Sequence, residues 1–438
     1  MIDRRESVKG PGLHALVIGV GAYPYLPENA GPRLHGGRDT FGLGQLSSAA
    51  TAACCFVNSL YSPPLGAVLG RPLKTCRLLL LPHADELPLV NTVLKSFGKN
   101  TVPAGTIDDV IAACSDWRKD AEADGPDAMT VFYFSGHGVQ VERGRNASML
   151  LADFPPYEGG AAMSKALHLS NLEGFMHGSA SHQGATPRNQ YYFIDACRTE
   201  PDDLAIQSKT AVHSEHPHLK QVQNMSLRDR RLIARFFAAR SGALGWGRGG
   251  VGTYFGKALR LALSWAGTRY NEPVAGLNGT TVVVSPESLQ RGLRHEFVAI
   301  VEQEIAAGHL RVDDVIDEFG EIGLPDGPGD VDPIRIVPLF TLSTVPECRV
   351  WFSISPPKRG TSQAYGDFCV GQVQDQYGQT LLSEILGNLP RFMSSQHLSY
   401  RARVWNDASV RQTGGAPVLE RVGVLARPAD KVIVETTQ

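Results

Sequence analysis

Two reactive side chains follow two apolar stretches of this 438-residue sequence. His137 stands in Ser-Gly-His-Gly after Val131–Phe134, and Cys197 stands in Asp-Ala-Cys-Arg after Tyr191–Ile194. A thiol is a useful nucleophile at neutral pH when a base or a cation lies near it, and histidine supplies both. The two residue types are therefore the components of a cysteine–histidine hydrolase, provided that the fold brings them together.

Both apolar stretches are predicted to be strands buried on both faces, because aromatic and β-branched residues run through them without alternation. The carboxyl ends of neighbouring strands in an open parallel sheet meet in one crevice, which would bring His137 and Cys197 together. A regular alternation of strands and helices predicts an α/β fold with right-handed crossovers. The alternating segments are His14–Val20, Leu46–Leu60, Thr75–Leu81 and Thr106–Ala123.

The structural alternative is that a cysteine at a strand end is a small buried hydrophobe. Four cysteines lie in apolar patterns and are interpreted in that way, namely Cys54, Cys55, Cys76 and Cys114. Cys197 differs because Asp195 and Arg198 flank it after the strand has ended. His137 lies between two glycines, which would weaken the packing around a core histidine.

Ser-Gly-His-Gly after one strand and Asp-Ala-Cys-Arg after the next resemble the caspase-like cysteine peptidases, including metacaspases and their bacterial relatives. The resemblance covers residues 12–310 and implies a caspase-like, parallel-rich sheet flanked by helices. It implies hydrolysis of peptide bonds by a Cys197–His137 dyad. Acyl-transfer chemistry makes Cys197 the nucleophile and His137 the acid that protonates the leaving amine. The backbone N–H groups of Gly138 and Cys197 are predicted to form the oxyanion hole, and no third triad member is visible in the sequence.

Asp195, two residues before the cysteine, lies where the resembling families line the pocket for the side chain preceding the scissile bond. Caspases place glutamine there and metacaspases place aspartate, so the resemblance implies cleavage after arginine or lysine. The second acid expected on the helix at Leu46–Leu60 is missing. Ser241, at the start of a glycine-dense segment, is a further predicted substrate-binding residue.

The stretch Glu200–Arg231 directly follows the nucleophile and is polar, without an apolar period. We predict an exposed loop and a latent enzyme that is activated by cleavage within it. The candidate cleavage residues are those that the Asp195 pocket would accept: Lys209, Lys220, Arg228, Arg230 and Arg231.

Composition shifts predict the domain boundaries. Residues 1–319 are assigned to a peptidase domain, and residues 320–332 form a linker rich in turn formers and acids. Short alternating strands in residues 333–438 predict a C-terminal all-β, sandwich-like domain. They are Val337–Thr344, Cys348–Ile354, Phe368–Gln374, Tyr400–Trp405 and Lys431–Glu435.

A formal net charge of −2 gives no reason to expect a nucleic-acid partner. The sequence has neither a signal peptide nor an apolar run long enough to span a bilayer, so we expect a cytoplasmic protein that does not bind membranes.

The seven scattered cysteines suggest neither a zinc site nor disulfides, and we predict no metal and no cofactor. The expected partners are protein substrates and an upstream activating protease. A solvated loop is preferred over metal binding for His213, His216 and His218.

Two other function classes stay open. A caspase-fold protein with an intact dyad can act as a scaffold or signalling partner whose chemistry waits for another protein. A cysteine–histidine hydrolase can also act on a non-peptide acyl group. The resemblance further implies a context of stress, antiviral defence or cell death, to which bacterial relatives are often tied.

Overall fold

The structure is a computed structural model of the chain. It describes residues 2–31, 34–63, 67–142, 146–156, 162–177, 185–198, 231–240, 245, 247–263, 282–310 and 337–342, and the C-terminal strands 347–355, 370–374, 380–385, 391–394, 399–405, 419–424 and 431–435. The contacts divide the chain into two compact units. The first comprises Met1–Ser264 and Val284–Thr341, and the second comprises Trp265–Val283 and Leu342–Gln438.

Sixteen strands and six α-helices are described between residues 2 and 342, and the last two of these strands cross the boundary between the two units. The strands are β1 (Ile2–Asp3), β2 (Leu13–Val20), β3 (Leu34–His35), β4 (Arg38–Asp39), β5 (Ala67–Leu69), β6 (Leu73–Leu81), β7 (Met129–Ser135), β8 (Gly138–Glu142), β9 (Asn146–Leu150), β10 (Ala166–His168), β11 (Asn189–Asp195), β12 (Leu232–Phe237), β13 (Gly247–Arg248), β14 (Gly252–Thr253), β15 (Val282–Val284) and β16 (Phe340–Leu342). The helices are α1 (Ala49–Tyr61), α2 (Leu87–Ser96), α3 (Ile107–Asp124), α4 (Leu169–Phe175), α5 (Tyr254–Leu263) and α6 (Pro286–Ala306).

A six-stranded sheet in the order β1-β6-β2-β7-β11-β12 forms the centre of the first unit. All its neighbouring strands are parallel except β1, which pairs with β6 in the antiparallel direction. Every residue of β2, β7 and β11 is buried, as their continuous apolar runs predict. Helices cover both faces: α1, α2, α5 and α6 contribute to the core on one face, and α3 and α4 to the core on the other. The predicted α/β fold class is confirmed.

A side-chain cap accounts for the start of α3 but not for the start of α1. The α3 helix begins after Thr106, whose hydroxyl accepts from the Asp109 N–H while the Asp109 carboxylate accepts from the Thr106 N–H. The sequence predicts Ser47 or Ser48 as the cap of α1, and Ser48 does precede the helix, but it makes no side-chain capping bond. The carboxylate of Glu86 accepts from the Thr51 N–H at 2.8 Å instead. That partner is 35 residues away, and helix α2, which follows it, was not predicted.

The segment at 337–340 packs against the first unit although the predicted domain boundary precedes it. Leu339 and Phe340 are completely buried in the core that contains α1 and α6. The carbonyl of Val337 accepts from the Tyr191 hydroxyl at 2.7 Å. The predicted linker at 320–332 lies outside the described residues, so the boundary itself stays a prediction.

All described elements from residue 347 onward are strands, in two sheets ordered β20-β17-β23 and β19-β18-β21-β22. They are β17 (Glu347–Ser355), β18 (Val370–Gln374), β19 (Thr380–Ile385), β20 (Arg391–Ser394), β21 (Ser399–Trp405), β22 (Leu419–Val424) and β23 (Lys431–Glu435). The all-β character was predicted, although β19, β20 and β22 were missed. A sandwich packing of the two sheets stays a prediction.

Candidate active site

The two predicted catalytic segments lie side by side at the carboxyl edge of the sheet. Strands β7 and β11 are parallel neighbours with Ser135 opposite Asp195, and the Gly136 N–H donates to the Asp195 carbonyl at 3.3 Å. A Cβ atom added to Gly138 would lie 2.8 Å from the carbonyl oxygen of Cys197. The chain after β7 therefore touches the chain after β11, and this contact requires glycine at position 138.

The His137 imidazole is half-buried and tied to a backbone carbonyl. Its Nε2 lies 2.7 Å from the carbonyl oxygen of Gly44. A carbonyl can only accept, so Nε2 carries the proton and the neutral ring keeps its lone pair on Nδ1. Burial lowers the pKa of His137 to about 4, although the bond to Gly44 opposes this shift. At neutral pH the side chain is therefore an uncharged base.

The Cys197 thiol is also half-buried and contacts Gly245. Its Sγ accepts from the Gly245 N–H at 3.2 Å and lies 4.0 Å from the Gly245 carbonyl oxygen. Burial raises the pKa of this thiol; the Gly245 N–H opposes the shift, and the negative charge of Asp195 adds to it. Among the described contacts, the thiol bonds to Gly245 and not to His137. The resting pair is thus a thiol and a neutral imidazole.

The four cysteines interpreted as structural are all free thiols. Cys54, Cys76 and Cys114 are completely buried, and burial raises the pKa of each to about 12. They are therefore far less nucleophilic than an exposed cysteine would be. This is the environment that the structural interpretation implies.

Asp195 is buried beneath the two motifs, and its carboxylate is surrounded by hydroxyl groups. Tyr133, Ser135 and Thr253 all donate to its Oδ2 atom, the first two at 2.7 and 3.4 Å. None of the described contacts uses Oδ1. Burial raises the pKa of Asp195 to about 6, against the lowering effect of the three hydroxyls. Within the described part of the chain no cationic side chain bonds to this carboxylate, and such a carboxylate is suited to receive a cationic group.

Thr253 is a site residue that the sequence analysis missed. Its hydroxyl donates to Asp195 and accepts from the Gly256 N–H at 3.0 Å. This fixes the glycine-dense hairpin β13–β14 and the start of α5 against the end of β11. Only the glycine-dense composition of the sequence pointed to this segment.

Tyr23 and Gly44 were missed as well. The Tyr23 hydroxyl accepts from the backbone N–H of His137 at 2.8 Å. Tyr23 follows β2, a strand that pairs in parallel with β7 and therefore opens at the same edge of the sheet. Its position directly after a predicted central strand could have identified Tyr23 as a candidate site residue from the sequence. Gly44 contributes only a carbonyl, which has no sequence signature.

The described part of the chain includes one of the predicted processing residues. Arg231 is half-buried, and its guanidinium donates to the Glu173 carbonyl at 2.5 Å and to the Gln190 side chain at 3.3 Å. The other predicted processing and substrate-binding positions lie outside the described residues: Lys209, Lys220, Arg228, Arg230 and Ser241.

Within the described ranges, no three or more histidine, cysteine, aspartate or glutamate side chains are grouped so that they could hold a metal ion. None of the described helices is both long and apolar enough to cross a bilayer.

Residues 87–278 match the family model of the peptidase C14 caspase domain. The matched segment contains both His137 and Cys197, and it begins after β2 and α1. No curated protein matches the chain significantly.

Two solved structures are similar in part. A structural-genomics target from Geobacter sulfurreducens is 16% identical, with a TM-score of 0.36, over 65% of this chain and 89% of that protein. Caspase-1 from Spodoptera frugiperda is 11% identical, with a TM-score of 0.37, over 73% of this chain and 89% of that protein. The matched residues include β7 and β11 of the six-stranded, mostly parallel sheet, so this part of the chain is similar to a caspase domain.

Proposed function

We propose that this chain is a cysteine endopeptidase in which Cys197 and His137 form the catalytic dyad. The observation that carries the proposal is the contact between the two motif segments at the ends of β7 and β11, inside the segment that matches the caspase domain. Two strand ends in register place a base-bearing loop beside a thiol-bearing loop. This is the arrangement that acyl transfer through a thioester needs.

In the proposed reaction, the Cys197 thiol transfers its proton to His137 as Sγ attacks the scissile carbonyl carbon. The tetrahedral intermediate collapses, the C–N bond breaks, and His137 protonates the departing amine. Water then attacks the thioester, gives a proton to His137 and releases the carboxylic acid, and the thiol is restored. His137 enters as a neutral base, consistent with its lowered pKa.

The oxyanion formed in these steps needs donors from the main chain. The backbones of Gly138 and Cys197 lie against each other, and a glycine allows a substrate carbonyl to approach the chain closely. We assign their N–H groups to the oxyanion hole, where a lost donor typically costs about 100-fold or more in turnover.

Specificity for arginine or lysine is proposed from Asp195. Three hydroxyls bond to Oδ2, which leaves Oδ1 for a guanidinium or ammonium group. A charge-assisted bond in a buried pocket contributes about 1.5–3 kcal/mol. The buried Glu86 does not supply the missing second acid in this proposal, because its carboxylate accepts from the backbone N–H groups of Thr51 and His83.

The resting state supports a second proposal, that activity is latent. The Gly245 N–H donates a hydrogen bond to the Cys197 thiol, and burial keeps both Cys197 and His137 uncharged. We propose that cleavage within 200–231, by a second copy of the enzyme or an upstream protease, frees this region to rearrange. The partner-dependent scaffold is the alternative that the same observation favours, because binding of a partner can move Gly245 without any cut. A reducing cytoplasm, which keeps Cys197 a thiol, is the proposed location.

The testing experiment is cleavage of a randomised peptide library by the purified chain, before and after incubation, with Cys197→Ala treated in parallel. We expect turnover after arginine and lysine that rises as fragments ending in 200–231 appear by mass spectrometry. Faster cleavage after aspartate would overturn the specificity. An intact chain with full activity would overturn the latency. If Cys197 reacts with a peptide electrophile only when another protein is added, the partner-dependent alternative is correct.

The C-terminal β unit is proposed to be dispensable for bond cleavage. A chain ending at Thr341 retains the buried Leu339 and Phe340, so we expect it to cleave peptides within about threefold of the full chain. A chain ending at Ile322 loses both residues from the core. Burial of such side chains contributes about 1.5–3 kcal/mol each, so this shorter chain should unfold at a lower temperature. Loss of turnover by a folded 1–341 chain would place the β unit in the active site.

A further inference from the structure

The structure assigns Tyr23 the role of a positioning residue that holds His137 through its hydroxyl group. This inference rests on the proposed peptidase function and concerns the same site. Tyr23 is completely buried. Its hydroxyl accepts from the His137 N–H at 2.8 Å and donates to the Leu150 carbonyl at 3.1 Å.

The backbone of His137 needs such a support because both its neighbours are glycines. The Leu150 N–H donates to the His137 carbonyl at 2.9 Å. The Tyr23 hydroxyl and Leu150 together therefore bind both the backbone N–H and the backbone C=O of His137. A Cβ atom on Gly136 would lie 2.9 Å from the Tyr23 hydroxyl oxygen. Glycine at 136 therefore makes the close approach of the phenol possible, while the phenol restores the rigidity that glycine removes.

The Tyr23 ring also contacts the imidazole directly. The two ring centroids are 5.0 Å apart, with the planes inclined at 47°. Burial raises the pKa of Tyr23, so the phenol stays protonated and remains a donor to Leu150 across the working pH range. The contact is therefore independent of pH where the enzyme would act.

Gln45 connects Tyr23 to the carbonyl that sets the imidazole tautomer. Its side-chain carbonyl accepts from the Tyr23 N–H at 2.6 Å, and its amide donates to the carbonyls of Tyr23 and Leu26, both at 2.8 Å. Gln45 directly follows Gly44, whose carbonyl receives the His137 Nε2 proton. One side chain thus links the phenol that holds the His137 backbone to the carbonyl that orients its ring.

The test compares Tyr23→Phe with Tyr192→Phe. Tyr192 is equally buried, and its hydroxyl donates to the Gln190 side chain at 2.9 Å, away from His137. Tyr23→Phe removes the hydroxyl from the His137 N–H and the Leu150 carbonyl. Tyr192→Phe removes one from the Gln190 side chain, so both variants should be less stable than the wild type. We expect Tyr23→Phe to lower kcat at least about 10-fold with KM within twofold, because a misplaced catalytic group loses alignment with the reacting atoms. Tyr192→Phe should retain kcat.

Nitrogen NMR of histidine-labelled protein supplies a readout that does not depend on turnover. The His137 signals are identified by their absence from His137→Gln. We expect the Nε2-protonated tautomer in the wild type and in Tyr192→Phe, and a mixture of tautomers in Tyr23→Phe. If Tyr23→Phe does not fold, Gln45→Glu, which removes both amide donors, should show the same change.

Equal kcat and equal tautomer in Tyr23→Phe and Tyr192→Phe would overturn the positioning role. A wild type that cleaves no peptide after it has been cut within 200–231 would refute the proposed function instead, and the tautomer comparison would then decide the role of Tyr23 alone.

Discussion

The two ends of the central sheet carry polar clusters of opposite electrostatic character. At the amino end, His14 is completely buried, and its Nε2 lies 3.0 Å from Asp124. Asp124 also accepts from Lys74 at 2.5 Å and from the Gly12 N–H at 2.8 Å. At the carboxyl end, the described side chains that bond to Asp195 are all hydroxyl groups.

The pKa values of the two carboxylates move in opposite directions. Burial alone would raise the pKa of Asp124, but the bonds from Lys74, His14 and Gly12 outweigh it and lower the pKa. Burial raises the pKa of Asp195 to about 6, and its hydroxyl partners do not compensate. An aspartate paired with a cation inside the fold is structural, whereas a buried aspartate without one is suited to a cation from outside.

The same contrast holds for the two histidines. His14 has a carboxylate on one ring nitrogen and the Thr75 hydroxyl on the other, at 2.9 Å. His137 has a backbone carbonyl on Nε2, and Nδ1 keeps its lone pair. Burial lowers the pKa of both. A histidine with both nitrogens engaged is a structural link, and one with a single engaged nitrogen retains a site for proton transfer.

The largest expected effect is at the carboxyl end. Cys197→Ala and His137→Ala should each reduce peptide turnover at least about 1,000-fold, because the nucleophile or its base is lost. Thermal unfolding should change by only a few degrees, since neither side chain fills the core. Cys114→Ala, a matched change of a buried thiol on α3, should retain turnover. Substantial activity in either dyad variant would remove the proposed mechanism.

The amino end should respond in stability rather than in activity. Asp124→Asn leaves Lys74 and His14 without their carboxylate, so the free energy of unfolding should fall by about 3 kcal/mol at pH 7. The kcat of the folded protein should remain unchanged. Chemical denaturation and peptide turnover measured on one preparation test both statements. A loss of kcat without a loss of stability would contradict the structural role.

An aspartate-to-asparagine substitution at the carboxyl end should change activity and not stability. Asp195→Asn removes the charge proposed to bind arginine, so kcat/KM for arginine peptides should fall about 10- to 100-fold. Peptides with a neutral residue before the scissile bond should be cleaved as before. Stability at pH 7.5 should not fall, because the variant no longer buries an ionised carboxylate. Equal losses on both peptide classes would argue for a structural defect and against a specificity pocket.

The smallest expected effect is on the pH dependence of stability, compared between the wild type and the Asp195→Asn and Asp124→Asn variants. Because the pKa of Asp195 is raised in the fold, its contribution to stability is complete below pH 4 and is lost as the pH rises through about 6. Because that of Asp124 is lowered, its contribution is present above pH 4 and is lost on further acidification. The melting temperature of the wild type should therefore fall relative to Asp195→Asn between about pH 4 and 6.5. Relative to Asp124→Asn, it should fall only below about pH 4. Parallel pH profiles for the two variants would contradict the comparison.

The sequence by itself predicted the central strands, helices α1 and α3 and the two catalytic candidates, whereas helix α2 was not predicted. Continuous apolar runs indicate strands buried on both faces, and their ends indicate where side chains become accessible for chemistry. His137 and Cys197 were found in this way, because each follows such a run. The capping pair Thr106 and Asp109 was also local, since its members are three residues apart.

Only the tertiary structure decided how these candidates are held and in which state they rest. Two of the groups that hold His137 are the Gly44 carbonyl and the Tyr23 hydroxyl, 93 and 114 residues away along the chain. Every residue has a carbonyl, so no residue type marks the one that will meet an imidazole. The pKa of Cys197 likewise depends on burial and on the Gly245 N–H, 48 residues later. Periodicity reports which face of an element is buried, whereas hydrogen bonds between loops depend on how the whole chain closes around them.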